Sequence, residues 1–91
     1  MVLLITYELK RPGQDYDSLY EAIKGISTIW HHPLTSHWFI QTSLFPQQVW
    51  ERLASHIDKN DNLLVIRVTN IPGYSGWMSK ETWNWLGTKV Y

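Results

Sequence analysis

The chain contains no cysteine. That excludes a disulfide framework, a thiolate metal site and a thiol nucleophile, and it fits a reducing, cytoplasmic compartment. It also lacks any surplus of charge, with eight Lys and Arg against eight Asp and Glu. Strong non-specific binding to nucleic acid needs a clustered excess of cations, so such a binder is disfavoured and only a local patch stays open. No apolar run approaches the ~20 residues of a membrane span. The first such run, Val2 to Leu9, has no basic segment before it and stops at Lys10, so it is expected to be structure rather than a secretion signal. Neither a phosphate-binding P-loop, nor a dinucleotide fingerprint, nor a nucleophile elbow occurs, which leaves covalent catalysis without a recognisable nucleophile.

What the chain has in abundance is aromatic surface, six Trp and five Tyr in 91 residues, with only 18% charged residues. A chain of this length makes one domain and buries roughly 60 to 65% of the surface its unfolded form exposes. It cannot hide so much aromatic area alone, so a partner is expected, most simply a second copy.

Val2-Leu3-Leu4-Ile5-Thr6-Tyr7-Glu8-Leu9 reads as a strand whose apolar residues fall on both faces, Val2 and Leu4 on one and Leu3, Ile5 and Tyr7 on the other. It is therefore expected at the centre of a sheet. Lys10-Arg11-Pro12-Gly13 is turn chemistry. A helix follows, with Asp15 or Asp17 as cap, Tyr16, Leu19, Tyr20 and Ile23 on one face, and Gly25 as its stop. Thr28 to His31 predicts a second strand, and His32-Pro33-Leu34-Thr35 turns it into a third, Ser36 to Thr42. Pro46 opens a second helix with the stripe Val49, Trp50, Leu53, Ala54 and Ile57, and Asp58 to Asp61 is its exit. Asn62 to Val68 is a fourth strand. The order strand, helix, strand, strand, helix, strand predicts an α+β, ferredoxin-like βαββαβ domain: a four-stranded antiparallel sheet with both helices on one face. Residues 1–68 form this core, and 69–91 a loop and a short helical tail, Lys80 to Leu86, capped by Ser79 and carrying Trp83 and Trp85, with Trp77 just before it. The second sheet face needs a cover, because the first and fourth strands are apolar on both sides. The tail and a neighbouring subunit are the candidates, with Trp77, Trp83 and Trp85 as interface residues.

The opening Leu-Ile-Thr-Tyr-Glu-Leu, the Pro12-Gly13-Gln14-Asp15-Tyr16 turn, Trp30-His31-His32 with Leu34-Thr35-Ser36 and Trp38, and the run Ile57 to Val65 together resemble the short bacterial proteins catalogued as SinR-like. The resemblance covers nearly the whole chain. Such proteins look like relatives of the small ferredoxin-fold subunit of the CRISPR spacer-acquisition integrase and of the virulence-associated D-type toxin ribonucleases. The resemblance implies a homodimer in which two first strands, each ending in Tyr-Asp, meet and hold a divalent metal that activates water against a phosphodiester. Tyr7-Glu8 stands at that position here. It implies Glu8 as metal ligand for Mg²⁺ or Mn²⁺, Tyr7 and Glu8 as the catalytic pair, and RNA or DNA as substrate. Glu in place of Asp carries an extra methylene, which moves the oxygens outward, and metal geometry is demanding.

Read on its own, Glu8 is either a solvated charge at a sheet end or one half of a site completed by its symmetry mate. Lys10, Arg11 and Arg67 are candidate phosphate contacts if they gather near the end of the first strand, and ordinary surface charges otherwise. His31 and His32 are adjacent on a strand, face opposite ways, and cannot both join His37 in a metal site unless the turn bends sharply; ordinary hydrogen-bonded hairpin residues are the simpler reading. Asp58, Asn60 and Asn62 imitate a calcium loop whose pattern then fails at Leu63 and Thr69. Beside the nucleic-acid reading stands one from another class, a non-catalytic module whose aromatic faces bind protein.

Overall fold

A computed structural model describes residues 1–10, 16–69 and 75–91. The chain runs β1 (Val2–Glu8), α1 (Asp17–Ile26), β2 (Trp30–Leu34), β3 (His37–Gln41), α2 (Pro46–Leu53), a single 3₁₀ turn (Ala54–His56), β4 (Asn62–Val68) and α3 (Lys80–Gly87). The four strands form one sheet in the order β2-β3-β1-β4, antiparallel at every pairing. This is the ferredoxin-like βαββαβ arrangement with an added C-terminal helix.

β1 is central because it is apolar on both sides. Leu3, Ile5 and Tyr7 point into the core with Trp38 and Ile40 of β3, and Leu19 and Ile23 of α1 and Val49 and Leu53 of α2 close over them. Burying each such side chain is worth ~1.5 to 3 kcal/mol, so this layer dominates the stability of the domain. Within it runs one polar chain. The Trp38 Nε1–H donates to the Tyr7 hydroxyl at 3.0 Å, which itself donates to the Thr35 carbonyl at 2.7 Å. The core therefore holds no loose polar end at that point, and the β3 indole is fixed against β1.

Local chemistry sets the element ends, in places differently from expectation. α1 continues through Gly25 to Ile26, with no left-handed glycine at its end. Ile26 packs against the core, and that contact extends the helix one residue past the glycine. The chain then leaves through Ser27, whose hydroxyl donates to the Gln41 carbonyl and accepts from the Ile29 amide. The position before α1 is Tyr16, with Asp17 already in the first turn; Asp15 and the Pro12-Gly13 turn lie outside the described residues. β2 begins at Trp30 and runs through Pro33 to Leu34 instead of turning at His32. It is an edge strand, and its register shifts between His31 and Leu34. A bulge on an edge is where a residue without an amide donor fits.

α2 is closed at its start by Gln48, whose side chain accepts from the Phe45 amide at 2.8 Å. It ends at Leu53, so Ala54 and Ile57 of the predicted stripe fall in and after the 3₁₀ turn, and Trp50 stays 39% exposed. The turn before β4 is built on Asp61. Its buried carboxylate accepts from the amides of Lys10 and Asp58, each at 2.8 Å, and from the Tyr16 hydroxyl. The apparent calcium loop is thus a turn tied by its last aspartate.

The second sheet face is covered in part by the tail. Ser79 caps α3 by accepting from the Thr82 amide. His31 of β2 contacts the Thr82 hydroxyl at 2.9 Å and stacks on Trp85, which also meets Phe39 of β3. The last residues reach across, with Val90 donating to the Gln41 side chain and Arg67 to the Tyr91 backbone oxygen. The β1–β4 half of the face keeps its apolar residues in view, Leu64 at 55% and Ile66 at 48% exposure, beside half-buried Leu4 and Thr6.

Candidate functional site

Strand alternation puts Leu4, Thr6 and Glu8 on the face that carries α3, away from α1 and α2. β1 and β3 pair so that Thr6 lies opposite His37, and β1 and β4 so that Glu8 lies opposite Asn62. These side chains, with Ser36 and Leu64, line a cleft of about 480 Å³ at the end of β1. Glu8 is well exposed there, its carboxylate paired with the Lys10 ammonium. His37 is half-buried and held on both ring nitrogens by hydroxyls, Nε2 by Thr6 at 3.3 Å and Nδ1 by Ser36 at 3.0 Å. A carboxylate, an imidazole and two hydroxyls thus share one mouth, with the Lys10 ammonium paired to the carboxylate.

Tyr7 is differently placed. Its side chain points into the core, and its hydroxyl is engaged by Trp38 and Thr35. Burial pushes its phenol well above the ordinary range; the Trp38 hydrogen bond acts against the shift, and Tyr20 adds to it. A phenol held neutral in the core positions β3 against β1.

Lys10 sits beside Glu8, and Arg67 does not. Arg67 pairs with Leu3 and contacts Tyr91, five residues along β1 from Glu8, or ~17 Å at the rise of a strand. The two cations therefore belong to opposite ends of the sheet, and Arg11 lies outside the described residues. The histidines separate as their adjacency requires. His31 stacks on Trp85 under α3, whereas His32 stacks on Trp38, ring centroids 3.8 Å apart. Among the described residues no three His, Asp or Glu side chains converge as a metal-binding group.

The tail tryptophans take three environments. Trp77 is 99% exposed, and Trp85 lies between His31 and Phe39 with Lys89 over its ring. Trp83 lines a mainly apolar groove of about 170 Å³ with Pro33, Leu34, Phe39 and Leu86, and His37 borders both this groove and the cleft at Glu8. The sequence reading of the mouth centred on Glu8 and missed Thr6, Ser36 and Asn62, and it weighed His37 as a metal ligand or an ordinary hydrogen-bonded hairpin residue, not as a neighbour of Glu8. The signal for Thr6 was its i, i+2 relation to Glu8; the others needed the strand register.

No protein-family model matches the chain, and no curated protein and no solved structure matches it. Among the described residues, no helix is long and apolar enough to cross a membrane.

Proposed function

We propose that the protein handles nucleic acid at the cleft beside Glu8, and that two copies associate through the open half of the same sheet face. One observation carries the reading: Glu8 and His37 line one cleft at the end of β1, Lys10 pairs with Glu8, and the exposed Leu64 borders the cleft on that same face. A cation for the phosphate and two groups able to move protons are what work on a phosphodiester requires. The resemblance to SinR-like proteins, and through them to CRISPR-adaptation and toxin ribonucleases, points the same way.

Metal is the weaker part of that resemblance. One chain brings a single carboxylate to the cleft among the described residues, and Lys10 already sits on it. Mg²⁺ and Mn²⁺ want several oxygen ligands in near-octahedral array, so the donor set of one protomer does not fit them. Only a second Glu8 from a symmetry mate would change this.

The test is fluorescence anisotropy and cleavage with labelled single- and double-stranded RNA and DNA, with and without Mg²⁺ or Mn²⁺, for wild type and Glu8→Gln. Binding or cleavage weakened in the variant supports the reading. No binding and no cleavage under any of these conditions refutes it.

A second reading, the non-catalytic protein-interaction module, is favoured by Leu64 and Ile66. Two large apolar residues side by side on an exposed sheet face, next to Leu4, are an interaction surface in search of a partner. Light scattering distinguishes the consequences. A dimer that Ile66→Asp converts to monomer, with no affinity for nucleic acid, selects the module.

A further inference from the structure

Within the nucleic-acid reading, the spacing of the cleft's proton-carrying groups narrows both substrate and mechanism. We propose that the cleft cleaves RNA by transesterification without a metal, with Glu8 as general base at the ribose 2′-hydroxyl and His37 as general acid at the departing 5′-oxygen.

Breaking an RNA chain through its own 2′-oxygen needs no external nucleophile. The 2′-oxygen forms a bond to phosphorus as the bond from phosphorus to the 5′-oxygen breaks, in line through the phosphate. The base and the acid must therefore stand on opposite sides of that phosphate, separated by its width rather than in contact with each other. Glu8 and His37 meet this requirement. His37 lies directly across from Thr6, and Glu8 is two residues further along the same face of β1, which makes them diagonal cross-strand neighbours, ~7 to 8 Å apart along the backbone and somewhat less at Cβ. Both line the same cleft. Glu8 takes the 2′ proton, His37 gives its proton to the 5′-oxygen, and the products are a 2′,3′-cyclic phosphate and a 5′-hydroxyl end. Atoms and charge balance with no co-reactant.

The neighbours suit these roles. The Lys10 ammonium, already at the Glu8 carboxylate, is the one side-chain cation the described structure brings to that carboxylate, and it supplies positive charge for the phosphate. Ser36 and Thr6 contact the two ring nitrogens of His37. A hydroxyl both donates and accepts, so this pair can hold the ring through loss and return of its proton without moving it. Nε2, with the longer contact at 3.3 Å, is the nitrogen that exchanges Thr6 for substrate, as catalytic hydrogen bonds are often long before substrate arrives. Glu in place of Asp, awkward for a metal, gives a base that reaches further into the cleft.

The experiment uses the full chain and a DNA oligonucleotide carrying one ribonucleotide, in EDTA. The expected result is a single cut after the ribonucleotide, a 2′,3′-cyclic phosphate by mass spectrometry, and no cutting of the all-DNA control. Glu8→Gln and His37→Gln each slow the cut by ~10² to 10⁴-fold, the usual contribution of a general acid or base. When the 5′-oxygen is replaced by sulfur, a leaving group that needs no proton, His37→Gln regains most of the wild-type rate and Glu8→Gln does not. A folding defect in His37→Gln would not show that selective recovery, and the cyclic product and EDTA resistance are read on the wild type alone. Cleavage that requires added Mn²⁺, that cuts DNA equally, or that is absent although RNA binds overturns this mechanism while the nucleic-acid reading stands. Absence of both binding and cleavage overturns the two together.

Discussion

Replacing Asp61 by alanine tests how the end of β1, and with it the cleft, is held. The Asp61 carboxylate accepts the amides of Lys10 and Asp58 and the Tyr16 hydroxyl, so it joins the chain leaving β1, the residue before α1 and the entry to β4. A hydrogen bond to a charged acceptor contributes ~1.5 to 3 kcal/mol net. Two of these donors are only partly buried and the phenol is buried, so water replaces part of what the amides lose. The expected destabilisation is therefore about 3 to 5 kcal/mol rather than the full sum. A domain of this length has roughly 5 to 13 kcal/mol in total, and the variant should lose a large share of it. Urea unfolding followed by tryptophan fluorescence reads the change as a fall in midpoint at constant slope. Asp61→Asn, which keeps one acceptor and turns an amide towards the donors, should lose about half as much. Amide exchange at Glu8 to Lys10 should quicken in both. A midpoint for Asp61→Ala within ~1 kcal/mol of wild type would refute the view of Asp61 as the tie of this corner.

The other predictions concern the core and the tail. Tyr7→Phe leaves the Trp38 indole N–H and the Thr35 carbonyl without their shared hydroxyl and should cost ~1 to 3 kcal/mol by thermal or urea unfolding. The Tyr7 phenol titrates higher in the folded state than in the unfolded one. The folded state therefore keeps a proton that the unfolded state sheds, and Tyr7's contribution, fully present below the ordinary tyrosine value near ~10, declines as pH rises above it by up to ~1.4 kcal/mol per unit. Tyr7→Phe should flatten that alkaline decline, and equal slopes in the two proteins would contradict the assignment. Trp85→Ala removes the surface on which His31 and Phe39 rest. It should release α3 at a cost of ~1 to 3 kcal/mol, Trp85 being half-buried, seen as lost helical circular dichroism and faster exchange at Thr82 and Leu86; unchanged protection there would show that the tail docks by other contacts.

Much of this architecture was legible because the decisive signals were local. The two-sided apolar pattern of Val2 to Tyr7 required a central strand, and β1 lies between β3 and β4. Asn62 to Val68 and the Ser79 cap were read with their correct limits. The misreadings arose where tertiary contacts overrode local preference. Ile26 drew α1 past Gly25, and a bulge at the sheet edge carried Pro33 inside β2. The cleft was half legible. Glu8 at its strand end and Lys10 beside it follow from sequence, but His37 joins them through the pairing of β1 with β3, which periodicity does not specify. Arg67 shows the converse. In an antiparallel pair the end of β4 lies beside the start of β1, so Arg67 falls at the far end of the strand from Glu8.

The most direct test of the cleft as the working site is an amide NMR titration with a short single-stranded RNA whose 2′-hydroxyls are methylated to prevent turnover. Saturable shifts concentrated at Thr6, Glu8, Ser36, His37 and Asn62, and reduced in Glu8→Gln, are the predicted result. Shifts confined to the groove around Trp83 and Leu34, or none at millimolar RNA, would contradict it.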